Sequence, residues 1–227
     1  MTVDLIDWVV ITVCVAVIVL WVKAFPYPSI LIRWLLPPKK RWPEAQIRGW
    51  LLKGSPPSSY LSFFNRDPER IAPAGHGLVA PADGLVTSLE CRNGIRYVVI
   101  ALTFWDVHVQ RSPEAGRVSE ISTMGSEFMD GEGRDFAFLA TKASPVQMRI
   151  VVQTAFGQIA IRLITSFAAR RLESFVMVGE SVVRGQRIGK IMLGSTVVLE
   201  IPERWSVLVR EGGRVRAGET LVTMDLS

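Results

Sequence analysis

Polar and apolar positions along this chain fall into three regimes. From Leu5 to Val22 the residues are apolar apart from Asp7 and Thr12, with no polar stripe. A helix that is apolar all round belongs in a protein core or in lipid. Trp8 and Trp21 stand near the two ends of the run, where amphipathic rings favour the membrane interface. Its length is close to the roughly 20 residues a span requires, so the pattern predicts an N-terminal membrane helix. Between Lys23 and Lys39 prolines break the apolar residues, which predicts an interfacial or re-entrant segment over residues 24–38 with Arg33 and Trp34 at headgroup depth. Gly54-Ser-Pro-Pro-Ser-Ser59 reads as a linker.

From Gly77 onward the pattern changes to short runs of β-branched and aliphatic residues separated by Gly, Pro and Asn-Gly. These predict strands. Asn93-Gly94, between Leu85–Cys91 and Ile95–Phe104, predicts a two-residue hairpin turn. Two echoes run through this part. Pro81-Ala-Asp-Gly84-Leu-Val86 returns as Pro113-Glu-Ala-Gly116-Arg-Val118. The spacing of Gly179, Val182, Gly185 and Ile188 returns in Gly212, Val215, Gly218 and Leu221. Each echo is a turn followed by a strand start, and the second resembles the turns of biotinyl and lipoyl carrier domains. The expected fold is therefore mainly β: a carrier-like, barrel-sandwich hybrid-like domain with internal repeats, preceded by the membrane helix. No lysine stands at a carrier-type hairpin tip. Gly125 to Arg134, rich in glycine and acidic residues, reads as a mobile loop. The expected division is residues 1–59 as anchor, basic juxtamembrane segment and linker, and residues 60–227 as the folded domain.

Charge changes this picture only near the anchor. The net charge is +5, and Lys23, Arg33, Lys39, Lys40, Arg41, Arg48 and Lys53 follow the apolar run against the single acid Glu44. A basic cluster beside an apolar segment suits an anionic membrane surface, not nucleic acid, and places that side in the cytoplasm. A signal peptide would begin basic, whereas Asp4 and Asp7 stand here and no small-residue cleavage site follows. The two cysteines, Cys14 and Cys91, have neither disulfide-framework nor metal-site spacing, and no metal-ligand cluster is visible.

Candidate chemistry centres on Lys190-Ile-Met-Leu-Gly-Ser-Thr-Val-Val-Leu-Glu200. A Gly-Ser-Thr break inside a strand pattern is either a bulge or turn or a self-processing serine. In the second case Ser195 Oγ attacks the Gly194 carbonyl, and the amide becomes an ester. Elimination and hydrolysis then leave a chain that starts with a pyruvoyl group. The chain has two histidines, His76 in a glycine loop and His108 after an apolar run. On a strand Asp106, His108 and Gln110 would share one face, about 6–7 Å apart in succession.

Leu193-Gly-Ser-Thr-Val-Val-Leu199 resembles the cleavage motif of phosphatidylserine decarboxylases. Further matches follow in the family's order: Phe63-Phe-Asn-Arg-Asp-Pro-Glu-Arg70, Ala80-Pro-Ala-Asp-Gly84, Asp106-Val-His-Val-Gln-Arg111 with Ser112-Pro113 and Gly116, and Ala169-Arg170-Arg171. Together they span about residues 60 to 225, most like the family's short bacterial form. The resemblance implies a lyase made as a zymogen that cuts itself between Gly194 and Ser195. Its covalent pyruvoyl cofactor, derived from Ser195, would form a Schiff base with the serine amine of phosphatidylserine and act as electron sink while carbon dioxide leaves. The product would be phosphatidylethanolamine. By position in the motifs His108 and Asp83 are the catalytic partners of Ser195, and Arg111 stands where long forms have a second histidine. Arg66, Arg70, Arg170 and Arg171 are candidates for the lipid phosphate. Arg149 is the counterpart of the family's Asn-Glu-Arg-Asn segment, replaced here by Ser144-Pro-Val-Gln-Met-Arg149. The expected assembly is a heterodimer of the chain's own cleavage products on the cell membrane, with a higher oligomer left open. Two alternatives stand beside this reading: a non-catalytic membrane-tethered carrier-like β-domain, and a decarboxylase of a related serine-containing lipid.

Overall fold

The structure is a computed structural model that describes residues 4–24, 35–125, 146–165, 171–192, 195–224 and 226, without the side chains of residues 22–24 and 195. The chain divides into two compact units, Met1–Glu44 and Ala45–Ser227.

In the first unit α1 (Leu5–Ala24) forms where the apolar run predicts it. Its described side chains are exposed from Leu5 to Trp21, with no polar stripe among them. Among the described residues no helix is long and apolar enough to cross a membrane, so the expected membrane helix is seen as an exposed apolar helix and not as an established span. A short turn, α2 (Pro38–Arg41), begins on a proline whose fixed φ suits a first helical position. Residues 25–34 of the expected interfacial segment lie outside the described residues.

The second unit opens with α3 (Glu44–Leu52) and α4 (Ser58–Phe64), joined by the Gly-Ser-Pro-Pro stretch. Ile47 is buried and Trp50 packs 5.8 Å from Tyr60, so these helices belong to the folded unit. Among the described residues thirteen strands follow. They are β1 (Leu78–Val79), β2 (Gly84–Arg92), β3 (Ile95–Leu102), β4 (Val109–Arg111), β5 (Gly116–Met124), β6 (Gln147–Thr154) and β7 (Gly157–Ile164). Then come β8 (Arg171–Ser174), β9 (Ser181–Val182), β10 (Arg187–Met192), β11 (Ser195–Pro202), β12 (Arg214–Val215) and β13 (Leu221–Thr223). The main sheet is curled and antiparallel, in the order β12-β2-β3-β11-β7-β6-β5-β9. A smaller sheet runs β4-β10-β8, and β1 pairs with β13. The Asn93-Gly94 turn is present, both residues at positive φ as a type I′ hairpin demands.

Both sequence echoes are structural repeats. Gly84 starts β2 and Gly116 starts β5, each pressed on its neighbour: a Cβ would lie 2.5 Å from the Ala101 carbonyl in one and 2.4 Å from the Gln153 carbonyl in the other. Both strands bulge at the same offset, between Val86 and Ser88 and between Val118 and Glu120. The second echo supplies each repeat's edge. Gly212 N–H donates to the Val86 carbonyl at 2.8 Å, and Gly179 N–H to the Val118 carbonyl at 2.7 Å. The inward side chains of the curled sheet, among them Ile100, Ile150, Ile161, Leu163, Val197 and Leu199, form one core cluster with Trp205. A side chain fully removed from water contributes about 1.5–3 kcal/mol.

Candidate active site

The first strand residues of β11 lie deep in the main sheet. Ser195 is in register with Leu102, and Thr196 with both Ala101 and Ile164. On the upstream side Ile191 N–H donates to the His108 carbonyl at 3.1 Å. The chain is thus braced just before and just after Leu193-Gly194, against the two ends of one connection, residues 103–108. Leu193, Gly194 and the Ser195 side chain lie outside the described residues.

That connection is tightly fixed. Asp106 accepts from the Thr103 N–H and from Thr103 Oγ1, each at 2.7 Å, and pairs with Arg214 at the sheet edge. The α4 helix is stitched to the same loop. Arg66 donates to the Phe63 carbonyl at 2.8 Å and to the Trp105 carbonyl, while Tyr60 OH donates to the Phe104 carbonyl at 3.3 Å. Burial raises the Tyr60 pKa well above the usual phenol range, so the phenol keeps its proton and acts as donor. Asp106 therefore does not share a strand face with His108, as the alternation predicts. It sits in the loop as a cap for Thr103, and β4 begins only at Val109.

His108 is 0% exposed and lies on Phe64, ring centroids 4.3 Å apart. Its Nδ1 is 3.0 Å from the Asp106 carbonyl oxygen. A carbonyl can only accept, so the proton is assigned to Nδ1 and the lone pair to Nε2. Burial pushes the imidazole pKa down from 6.5 to about 4, with Arg66 and Lys190 adding to the fall and the Asp106 contacts opposing it. The ring is neutral throughout the physiological range.

Asp83 bonds Arg70 and the second echo. Its carboxylate accepts from Arg70 at 2.9 Å and from the Ala217 N–H at 2.8 Å, and Arg70 bonds Glu219 at 2.8 Å. This network holds the Pro-Ala-Asp-Gly turn to the second echo. His76 is exposed, edge-on to Phe156 at 6.5 Å. The arginines separate. Arg66 and Arg70 hold the contacts above. Arg111 is buried and donates to the Gly185 carbonyl, the Pro68 carbonyl and Asp67 at 2.9–3.0 Å. Arg149 pairs with Glu200 at 2.9 Å, alongside Arg162, five residues along β11 from Ser195. Arg171, its side chain 74% exposed and paired at the surface with Glu173, lies opposite Met192, the residue that leads into Leu193-Gly194. Arg170 and residues 126–134 lie outside the described residues. Sequence reasoning missed Phe64, Tyr60 and Lys190, whose Nζ donates to Asn65 Oδ1 at 2.8 Å. The signal for Phe64 was in the Phe63-Phe-Asn-Arg match, but its stacking on a ring 44 positions away has no local pattern.

This arrangement offers a neutral imidazole base, a strand start braced on both sides and, among the described residues, the exposed cation of Arg171 opposite Met192. Known proteins resemble the chain in sequence. A family model described as phosphatidylserine decarboxylase matches residues 59–223. A protein of Archaeoglobus fulgidus provisionally named archaetidylserine decarboxylase proenzyme is 35% identical over 168 residues, covering 74% of this chain and 80% of the relative. A Halobacterium salinarum protein with the same provisional name is 35% identical, covering 76% and 85%. The phosphatidylserine decarboxylase proenzyme of Solibacter usitatus is 32% identical, covering 74% and 79%.

Proposed function

Because the chain belongs to the phosphatidylserine decarboxylase family, we propose that it is a self-cleaving proenzyme that decarboxylates a serine phospholipid to the ethanolamine lipid. The observation that supports the reading is the double brace: Ile191 N–H bonds the His108 carbonyl and Ser195 is in register with Leu102, at the two ends of residues 103–108. His108 Nε2 takes the hydroxyl proton of Ser195 as Oγ attacks the Gly194 carbonyl. The new C–O bond replaces the C–N bond, and the amine of Ser195 is released. The residues fit a pyruvoyl group at this position: it would open β11, at the rim of a core where Thr196 and Val197 are buried. Once formed, that group supplies the carbonyl electron sink for loss of carbon dioxide. His108 then delivers a proton at the carbon that loses the carboxylate, and Arg171 receives the phosphate of the headgroup. The relatives are named both as phosphatidylserine and as archaetidylserine decarboxylases; the assigned site engages the shared headgroup, so either lipid backbone is compatible with it. The paired echoes support the carrier-like reading of the β-domain's fold.

The fold also predicts how the cleaved protein behaves. Residues 195–227 make a fragment of 33 residues. Its β11 is flanked by β3 and β7, and its β12 and β13 pair with β2 and β1, all four from the larger fragment. Both fragments should therefore co-elute in native size exclusion and separate only on denaturation, with intact masses ending at Gly194 and starting at a modified Ser195. Fragments that part without denaturant, or one intact chain that still releases carbon dioxide from phosphatidylserine vesicles, would contradict the proposal.

We assign the protein to the cell membrane with the β-domain in the cytoplasm, on the strength of the exposed apolar α1 and the cations that follow it. Deleting residues 1–24 should move the protein toward the soluble fraction without lowering the unfolding temperature of the β-domain. Membrane pelleting that does not change on deletion would place the anchor elsewhere.

A further inference from the structure

Gln110 of β4 is 0% exposed, yet neither its Oε1 nor its Nε2 has a hydrogen-bond partner among the described residues. A buried amide without partners carries a desolvation cost that no bond offsets. Such groups in folded proteins are explained by strain, by a catalytic role, or by a water or ion that pairs with them. The position supports a function. Gln110 stands opposite Gly189 in the antiparallel pair with β10, and directly opposed residues share a face. A Cβ on Gly189 would meet Leu163 Cδ2 at 3.3 Å and Met148 Cε at 3.7 Å. This face therefore looks onto the row formed by Met148, Leu163 and Val197 in the main sheet. Val197 is two residues beyond Ser195, about 6–7 Å of strand. His108 is two residues before Gln110 in β4's approach. The unpartnered amide thus shares with Gly189 the face that looks onto the row leading to the start of β11.

We propose that Gln110 is the residue that receives the carboxylate of the substrate's serine headgroup, an assignment that rests on the decarboxylase reading above. That carboxylate must shed its charge as carbon dioxide leaves. A guanidinium would hold the charged form and oppose its loss. A neutral amide N–H in dry surroundings orients the carboxylate with one directional bond and loses little as the charge drains from it. Arg66, Arg70 and Arg111 are engaged by carbonyls and carboxylates, and Trp205 Nε1, a second buried donor without a partner among the described residues, follows the far end of β11.

The decisive variant is Gln110→Met, close in volume and without hydrogen bonds. It should unfold at a temperature no lower than the wild type, because an unpaired amide has been removed, and cleave itself to the same extent. Carbon dioxide release per mature chain from phosphatidylserine vesicles should fall 10- to 100-fold. A second arm uses the full chain carrying Ser195→Ala, which cannot turn over. Glycerophosphoserine should raise its unfolding temperature more than glycerophosphoethanolamine, and adding Gln110→Met should erase that difference. Turnover within twofold of wild type with the headgroup preference intact would overturn the assignment. So would a parallel fall in unfolding temperature and self-cleavage, which would make Gln110 a structural residue. A wild-type chain that cleaves but releases no carbon dioxide would overturn the decarboxylase reading instead, and the headgroup arm would then decide the role of Gln110 alone.

Discussion

Ser195→Ala should leave a single chain of 227 residues, 25.2 kDa, with no second fragment and no carbon dioxide release. The effect is all or none because two steps depend on one oxygen. Oγ is the nucleophile that converts the Gly194 amide to an ester, and the carbon that carries it becomes part of the group on which turnover depends. The fold should survive. The backbone of β11 is laddered to β3 from Ser195 to Pro202 and to β7 from Thr196 to Glu200, and an alanine keeps every one of those bonds. Circular dichroism and the unfolding temperature should stay near those of the uncleaved precursor. The measurement is the intact mass of purified protein after prolonged incubation. Cutting at the same bond in the alanine variant would remove Ser195 as the nucleophile and with it the proposed origin of the reactive carbonyl.

How much of this could be read from the chain depends on the range of the interaction. The Asn93-Gly94 turn, the two glycine echoes and the strand character around Ser195 are local, and each is present in the structure. The echoes even carry their pairing, since a glycine pressed on a neighbouring carbonyl is needed at the same place in both repeats. Charge partners are another matter. Asp83 binds the Ala217 N–H 134 positions away, and Arg70 binds Glu219 149 positions away. Nothing in spacing or periodicity says which of many arginines closes such a network. The motif matches singled out His108 and Ser195, but they did not separate Arg66, Arg70 and Arg111, which tie the fold together, from Arg171, which faces solvent. Gln110 was visible only as a polar residue two places from His108. Its lack of partners is a property of the packed interior.

His108→Gln carries the second large expectation, and pH separates its roles. The variant keeps a polar side chain beside Phe64 and the Asp106 carbonyl but has no basic nitrogen. Self-cleavage should slow by about 10²–10⁴-fold, the usual loss when a positioned base is removed. In the wild type the imidazole is neutral above about pH 4, so cleavage should be flat from pH 5 to 8 and fall tenfold per pH unit below about 4. Stability should follow the same group. Between pH 6.5 and about 4 the unfolded chain binds a proton at His108 and the folded chain does not. Stability contributed by this group is therefore complete above pH 6.5 and is lost as pH falls toward 4, by roughly 3 kcal/mol in all. Urea unfolding at pH 7 and pH 4.5 should show a smaller drop for His108→Gln than for the wild type. Asp83→Asn is the control. Its carboxylate serves Arg70 and the Ala217 N–H, so the variant should lose about 1–3 kcal/mol of stability. Once matured, it should release carbon dioxide at close to the wild-type rate per chain. If His108→Gln cleaves at the wild-type rate, the base must be another group near Gly194-Ser195. If it cleaves slowly but turns over normally per mature chain, His108 serves maturation alone, and the proton that replaces the carboxylate comes from elsewhere in the site.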